Sequence, residues 1–223
     1  MPAHTSRDFE SELRELRAQT LAMGARCERA LQLAFRAFWE GSTMIAAEVE
    51  TLDRFIDRDE MDIDALALRI LALRQPVATD LRLLTGVMRF TTDLERIGDE
   101  TVNIAERARD DGDSAKAIAG KDLRRMADHV QHMLREALEA FAANEDQRAC
   151  KVLLQDDVVD DLHGSIVNAM SQLITKNSTY VAEALRVIQV SKHLERIADH
   201  STNIAEQVIF IVRADDVRHS TPK

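Results

Sequence analysis

The stretch TDLERIGDETVNIAE runs from Thr92 to Glu106, and KHLERIADHSTNIAE runs from Lys192 to Glu206. Between Asp93–Glu106 and His193–Glu206, nine of fourteen positions are identical, far more than chance gives. On a helix turning about 100° per residue, Glu95, Asp99, Asn103 and Glu106 fall on one side. Leu94, Ile97, Gly98, Thr101, Ile104 and Ala105 occupy the other. The later copy repeats both rows, with Glu195, Asp199, Asn203 and Glu206 opposite Leu194, Ile197, Ala198, Ser201, Ile204 and Ala205. Each copy therefore predicts a helix with an apolar face and a line of oxygen donors turned away from it.

The repeat extends upstream. LDRFIDRDEMDI (Leu52–Ile63) parallels QDDVVDDLHGSI (Gln155–Ile166), and Phe38 parallels Phe141, at an offset of 103 instead of 100. The second half is thus three residues shorter between its second and third helices. Asp53, Asp57, Glu60 and Asp64 again share one side of a helix, away from Leu52, Ile56, Ile63 and Leu66. In the copy, Asp156 and Asp160 keep the pattern, while His163 and Val167 replace Glu60 and Asp64.

Helix breakers are few among the 223 residues: 7 Gly and 3 Pro, two of the prolines being terminal. A chain rich in Ala, Leu, Glu, Asp and Arg with one interior proline is predicted to be nearly all helix. Breaks at Gly41-Ser42, Gln75-Pro76, Asp110–Gly120, Asn144 and Asn177-Ser178 leave six helices, near 7–40, 42–74, 76–110, 117–142, 145–176 and 178–214. Pro76 is expected at the first position of its helix, where a missing N–H is harmless. Asn144 is expected to cap the next one, with Gln147 three residues on. The Gly-bearing linker halves the chain into two tandem three-helix units, 1–112 and 113–223. The fold class is all-α. Solenoids need shorter and more numerous repeats.

A formal net charge of −10 argues against direct contact with nucleic acid or an anionic membrane, which require a basic footprint. It suits a cation or a basic partner surface. The amino-terminal residues have no signal-peptide core, and the longest wholly apolar run, Val208–Val212, is far too short to span a bilayer. Cys27 and Cys150 have neither disulfide nor thiolate-metal spacing. The expected compartment is the cytoplasm.

Carboxylates at i, i+4 repel one another, by a few tenths of a kcal/mol per pair on an exposed helix. A hard or borderline cation reverses that cost, and oxygen donors from neighbouring helices suit Mg, Ca, Mn or Fe. A solvated acidic face is the plainer reading of any one stripe. Retention of Glu, Asp, Asn and Glu while Asp93 becomes His193 and Glu100 becomes His200 favours metal binding. Arg96 and Arg196 are expected to pair with nearby acids.

With these residues in view, the chain resembles the PhoU family, accessory regulators of the phosphate-specific transport system. The resemblance rests on LERIGDETVNIAE, LERIADHSTNIAE, RQPVATDLR (Arg74–Arg82) and the aspartate pairs in DRFID and DDVVD, and it covers essentially the whole chain. It implies two three-helix bundles related by a pseudo-twofold axis, and often a homodimer. It implies an E(D)xxxD motif on two helices of each bundle, matched here by Asp53/Asp57, Glu95/Asp99, Asp156/Asp160 and Glu195/Asp199. With Glu60, Asn103 and Asn203 from the stripes, these are the candidate metal residues. Iron or zinc is the implied metal, with magnesium or manganese as further candidates. The implied role is negative regulation of phosphate-starvation signalling through the transporter's ATPase and a sensor histidine kinase, with membrane contact only through partners.

Two other readings stand beside the regulator. A carboxylate-bridged iron protein, oxidase or store, wants Glu-x-x-His on facing helices. Here Gly98 and Ala198 occupy the position three after the glutamate. A purely structural adaptor would leave the acids unused. No nucleophilic triad or phosphate-cradling glycine loop is present to suggest an enzyme.

Overall fold

A computed structural model of the protein describes residues 3–109 and 113–217, with side chains over 7–108 and 118–217. These residues form α1 (Ala3–Glu40), α2 (Thr43–Arg74), α3 (Ala78–Arg109), α4 (Asp113–Ala143), α5 (Asp146–Leu153), α6 (Asp156–Lys176), a 3-10 turn (Ser178–Tyr180) and α7 (Val181–Arg213). No strand occurs among them. The first three helices make one bundle, and α4, the α5–α6 pair and α7 make the second. Among the described residues no helix is long and apolar enough to cross a membrane. The predicted break at Asp110–Gly120 falls partly on 110–112, outside the described residues. Its far end is a kink in α4, where Gly120 has φ 66°.

The turn that closes α1 is repeated at the end of α4. Gly41 adopts φ 65°, and the Ser42 N–H reaches back to the Ala37 carbonyl at 3.1 Å. Asn144, its copy at an offset of 103, adopts φ 54°, and the Glu145 N–H bonds the Ala140 carbonyl at 2.9 Å. Both are left-handed closures that satisfy the last helical carbonyls, a role Gly fills best and Asn next. Asn144 therefore closes α4 and does not cap the following helix, whose N-cap is Glu145. Ser42 does cap α2, its Oγ accepting from the Ile45 N–H.

Two further expectations are corrected. Pro76 stands in the loop before α3, because Gln75 takes positive φ at the end of α2 and the next helix begins only at Ala78. The single helix expected over 145–176 is broken at Leu154–Gln155. Both residues there keep near-helical φ and ψ, so no glycine or proline marks the break. Elsewhere the predicted helices appear, within a few residues at their ends.

The apolar faces behave as the spacing requires. Leu94, Ile97, Thr101, Ile104 and their copies Leu194, Ile197, Ser201 and Ile204 are fully buried. The bundles meet chiefly through α3 against α7, with α1 against α4 as a second contact. Close approach is built in: a Cβ added at Gly86 would lie 2.6 Å from Ile211 of α7. Phe90 of α3 packs on Phe141 of α4, ring centroids 4.7 Å apart.

The seam also carries polar pairs. His200 meets Asp93 at 2.9 Å, and Asn203 donates to the same oxygen at 3.0 Å. His193 meets Glu100 at 2.5 Å, and Arg196 donates to Glu100 at 3.1 Å. As numbers rise along α3 they fall along α7, so the two helices run antiparallel. The pair 93–200 becomes the pair 193–100 when the halves are exchanged, which is what a pseudo-twofold axis between these helices demands. Glu100 is 8% exposed, a burial tolerated by a carboxylate only when it is paired.

Because Phe90 bridges the bundles while fully buried, Phe90→Ala should cost about 3–5 kcal/mol, the range for large-to-alanine changes in a packed core. Urea denaturation followed by circular dichroism measures it. A loss below about 1 kcal/mol would mean that the seam is not packed as described.

Candidate metal centres

Each bundle places four carboxylates in the groove between its second and third long helices. In the first, Asp53 and Asp57 stand on α2 and Glu95 and Asp99 on α3. Their i, i+4 spacing turns each pair toward the facing helix, while Ile56 and Ile97 hold the interface beneath them. Gly98 permits the approach, since a Cβ there would lie 2.8 Å from Asp53 Oδ1. That oxygen is buried and has no hydrogen-bond partner. Asp53 is pushed up to about 6, by burial first and then by the charges of Asp57 and Asp99. Glu95 is raised by burial and by Asp99, against Arg96, with Glu60 and Asp57 adding smaller repulsions.

The second bundle repeats the set. Asp156 is pushed up to about 6 by burial, then by Asp199, Asp160, Asp157 and Glu195. Asp199 is raised by partial desolvation, then by Glu195 and Asp160, against Lys192 and His200. The loss of acids at His163 and Val167 has not dispersed this quartet. His163 instead lies 3.0 Å from Ser191 Oγ.

The remaining candidates divide. Glu60 borders the first quartet and accepts from the Thr92 hydroxyl at 3.1 Å. Asn203 does not join the second quartet: its amide is spent on Asp93 across the seam. Asn103 stands half-buried one turn beyond Asp99 on the same drifting row. Arg96 donates to Asp99 at 3.3 Å and lies 3.4 Å from Glu95, and Lys192 pairs with Glu195. The expectation that Arg96 and Arg196 serve nearby acids holds, Arg196 doing so across the seam.

The acids reach solvent as the sequence predicts. The side chains of Glu95, Asp99 and Glu195 are 20%, 45% and 16% exposed, so the quartets are surface grooves and not the sealed bundle interior that an iron oxidase uses. Their chemistry fits a hard or borderline cation: oxygen donors only, mutual repulsion, and an orphaned carboxylate oxygen. Among the described residues, no three of His, Cys, Asp or Glu already converge on a point an ion could occupy. The carboxylates feel one another's charge without forming a closed coordination shell.

The turn RQPVATDLR differs from its sequence reading. Arg74 is tied to Glu12 of α1 by two hydrogen bonds, at 2.8 and 3.1 Å. Arg82 donates to Thr79 Oγ1 at 3.1 Å and reaches the Ile211 carbonyl at 3.5 Å. What the turn presents outward is apolar: Leu73, Val77 and Leu81 are 70%, 73% and 41% exposed. Sequence reasoning marked the arginines and missed these three.

Fold and site together define a class: a duplicated three-helix protein with a carboxylate quartet on each half. The PhoU domain matches residues 20–108 and again 123–208, and the chain belongs to the PhoU family. It is 37% identical over 219 residues to a phosphate-specific transport system accessory protein PhoU homologue of Pseudomonas putida, covering 97% of this chain and 85% of that one. A crystal structure of PhoU from Pseudomonas aeruginosa superposes with a TM-score of 0.87 at 34% identity, covering 93% of this chain and 100% of that one. The phosphate transport system regulatory protein PhoU from Streptococcus pneumoniae superposes with a TM-score of 0.87 at 25% identity, covering 94% and 99%.

A carboxyl that holds its proton more tightly folded than unfolded stabilises the fold below its unfolded value, about 3.9 for Asp, and loses that contribution as pH rises through the folded value. For Asp53 and Asp156 the folded value is about 6. Glu100 acts oppositely. Burial works to raise its carboxyl, but bonds from His193 and Arg196 hold it below the usual range, so its contribution is lost as pH falls. In chelator, the joint change Asp53→Asn and Asp156→Asn should therefore remove a loss of stability between about pH 4 and pH 6. Denaturation midpoints across that window test it. An unchanged pH profile in the double variant would show that the two aspartates titrate normally.

Proposed function

We propose that the protein is a non-enzymatic accessory regulator of phosphate uptake, acting in the cytoplasm to restrain phosphate-starvation signalling. The observation that carries this reading is the match, over 97% of the chain, to proteins named for that accessory role. Its partners are the ATPase of a phosphate ABC transporter and a sensor histidine kinase, and the working form is a homodimer. A net charge of −10 supports protein contact over operator binding, because DNA association depends on neutralising phosphates.

In this reading the two quartets hold metal ions. Asp53, Asp57, Glu95 and Asp99, with Glu60 beside them, serve the first site. Asp156, Asp160, Glu195 and Asp199 serve the second. Iron or zinc is the expected metal, with magnesium or manganese as the hard alternatives. Burial raises Asp53 and Asp156 most, and a bound cation would cancel the carboxylate repulsion that adds to it, so occupancy is coupled to the spacing of α2 on α3 and of α6 on α7. The partner surface is the apolar turn of Leu73, Val77 and Leu81, since binding residues gather at exposed junctions and a contiguous apolar patch marks an interaction site.

Ligand binding to the folded state adds about 2.7 kcal/mol at a hundredfold excess over Kd. Thermal melts should rise with ferric, zinc or manganese ions, and Asp99→Asn together with Asp199→Asn should shrink the rise. Melts indifferent to metal and chelator would leave the acids as solvated decoration. For the partners, Val77→Asp should abolish capture of the ATPase or kinase in a pull-down with helicity unchanged. Loss of capture only on changing Glu95 and Asp99 would move the contact to the metal face. Tight, specific operator binding at physiological salt would end the protein-contact reading.

A further inference from the structure

The pseudo-twofold axis that relates α3 to α7 also passes between α1 and α4. Where these two helices cross, three sister pairs stand together at the offset of 103: Glu28 with Gln131, Leu31 with Leu134, and Gln32 with Arg135. The surface on one side of this crossing therefore has its copy on the other side, and the two can be compared residue by residue.

They are built differently. On one side Trp39 of α1 stacks on Phe35, ring centroids 5.6 Å apart, and the Arg124 guanidinium of α4 sits over the indole, 3.9 Å from its centroid. The sisters of Trp39, Phe35 and Arg124 are Ala142, Leu138 and Leu21. These three line a groove of about 320 Å³ on the second side, at the small end of the range that takes a bound group. The groove lies where the first side carries an indole, a second ring and a guanidinium.

Gly24 keeps the groove open. A Cβ there would lie 2.4 Å from Leu138 Cδ2, so Leu138 sinks against α1 and is only 6% exposed. The sister of Gly24 is the buried Ala127, which leaves Phe35 no such notch. The rim has changed sign as well. Glu28 and Glu139 line the groove, where the sister positions hold Gln131 and Arg36. Arg135 and Arg148 pair with these two acids, but ion pairs as exposed as these are weak and exchange partners at little cost.

We propose that this groove docks a tryptophan side chain of a partner protein, with an arginine next to it in the partner's sequence. The protein's own Trp39 and Arg124 display the arrangement: a ring on an apolar floor and a guanidinium over its outer face. In the groove the floor is Leu21, Leu138 and Ala142, and Glu28 and Glu139 draw the arginine. Tryptophan and arginine are also the side chains that most often anchor protein contacts. A second copy of this chain does not fit, because its one tryptophan is covered by its own Arg124. The groove belongs to α1 and α4, which carry neither quartet, so this contact is additional to the apolar turn and independent of metal.

Methyl-selective NMR of the full chain, titrated with the peptide acetyl-Gly-Arg-Trp-Arg-Gly-amide, tests the proposal. The expected result is saturable shifts of the Leu21, Ala25, Leu138 and Ala142 methyl groups with a Kd of about 1 mM or tighter. Leucine in place of the peptide's tryptophan should weaken binding at least about tenfold, and so should glutamate in place of both arginines. Ala142→Trp fills the groove from within, as Trp39 fills the sister position, and should abolish binding without lowering the thermal midpoint. Ala47→Trp, on the exposed side of α2, should leave binding intact, and so should Asp99→Asn with Asp199→Asn. No shifts at millimolar peptide, equal binding of the leucine peptide, or undiminished binding to the Ala142 variant would overturn the proposal. If Ala142→Trp fails to fold, the peptide series decides the question alone.

Discussion

The structure depends on α3 and α7 lying antiparallel across a pseudo-twofold axis. They are copies of one another, so every contact made by one half must be answered by the same positions of the other half in reverse. That constraint decides which face of each copy meets its sister and which remains for α2 or α6. The apolar row of Leu94, Ile97 and Ile104 and its copy are buried under it. With the sister face assigned, only the flank toward the second helix is left for the acids. The quartets sit where they do because the seam has taken the other flank.

The acids are the costly part of this arrangement. Asp53 enters a space that Gly98 leaves open and keeps a buried oxygen unpaired. A well-packed structure usually satisfies such groups, and exceptions gather at functional sites. The orphaned oxygen belongs to the first half, where glycine stands in place of Ala198, but both halves push the leading aspartate up to about 6, Asp53 in one and Asp156 in the other. A raised carboxyl at the same place in two halves that differ elsewhere is a stronger sign of use than either acidic stripe alone.

The fold was legible in the sequence because the repeat and the apolar spacing say the same thing twice. The quartets were legible for the same reason. Asn203 was not, and the cause is geometric. Each step of four residues advances about 40° around a helix. A row that starts at Glu195 facing α6 has turned by Asn203 toward α3, where Asp93 captures it. The seam pairs were missed although their signal was visible. Asp93 with His193, and Glu100 with His200, looked like positions free to drift. Each residue meets the copy of its neighbour and not its own copy, so with acids at both positions of the first half the partners for both must come from the second, and His193 and His200 supply them. The α5–α6 break left no trace, since Leu154 and Gln155 stay near helical angles and the chain there lacks glycine or proline.

The same charge assignment has a consequence for assembly. The first half carries acids at both seam positions, Asp93 and Glu100, and the second carries histidine at both, His193 and His200. A first half meeting another first half would set aspartate against glutamate, and two second halves would set imidazole against imidazole. Only the unlike pairing satisfies both contacts. During synthesis the first half leaves the ribosome alone, beside identical halves on neighbouring chains, with a seam face that repels its own kind. At this surface each bundle is matched to the other half and not to a second copy of itself.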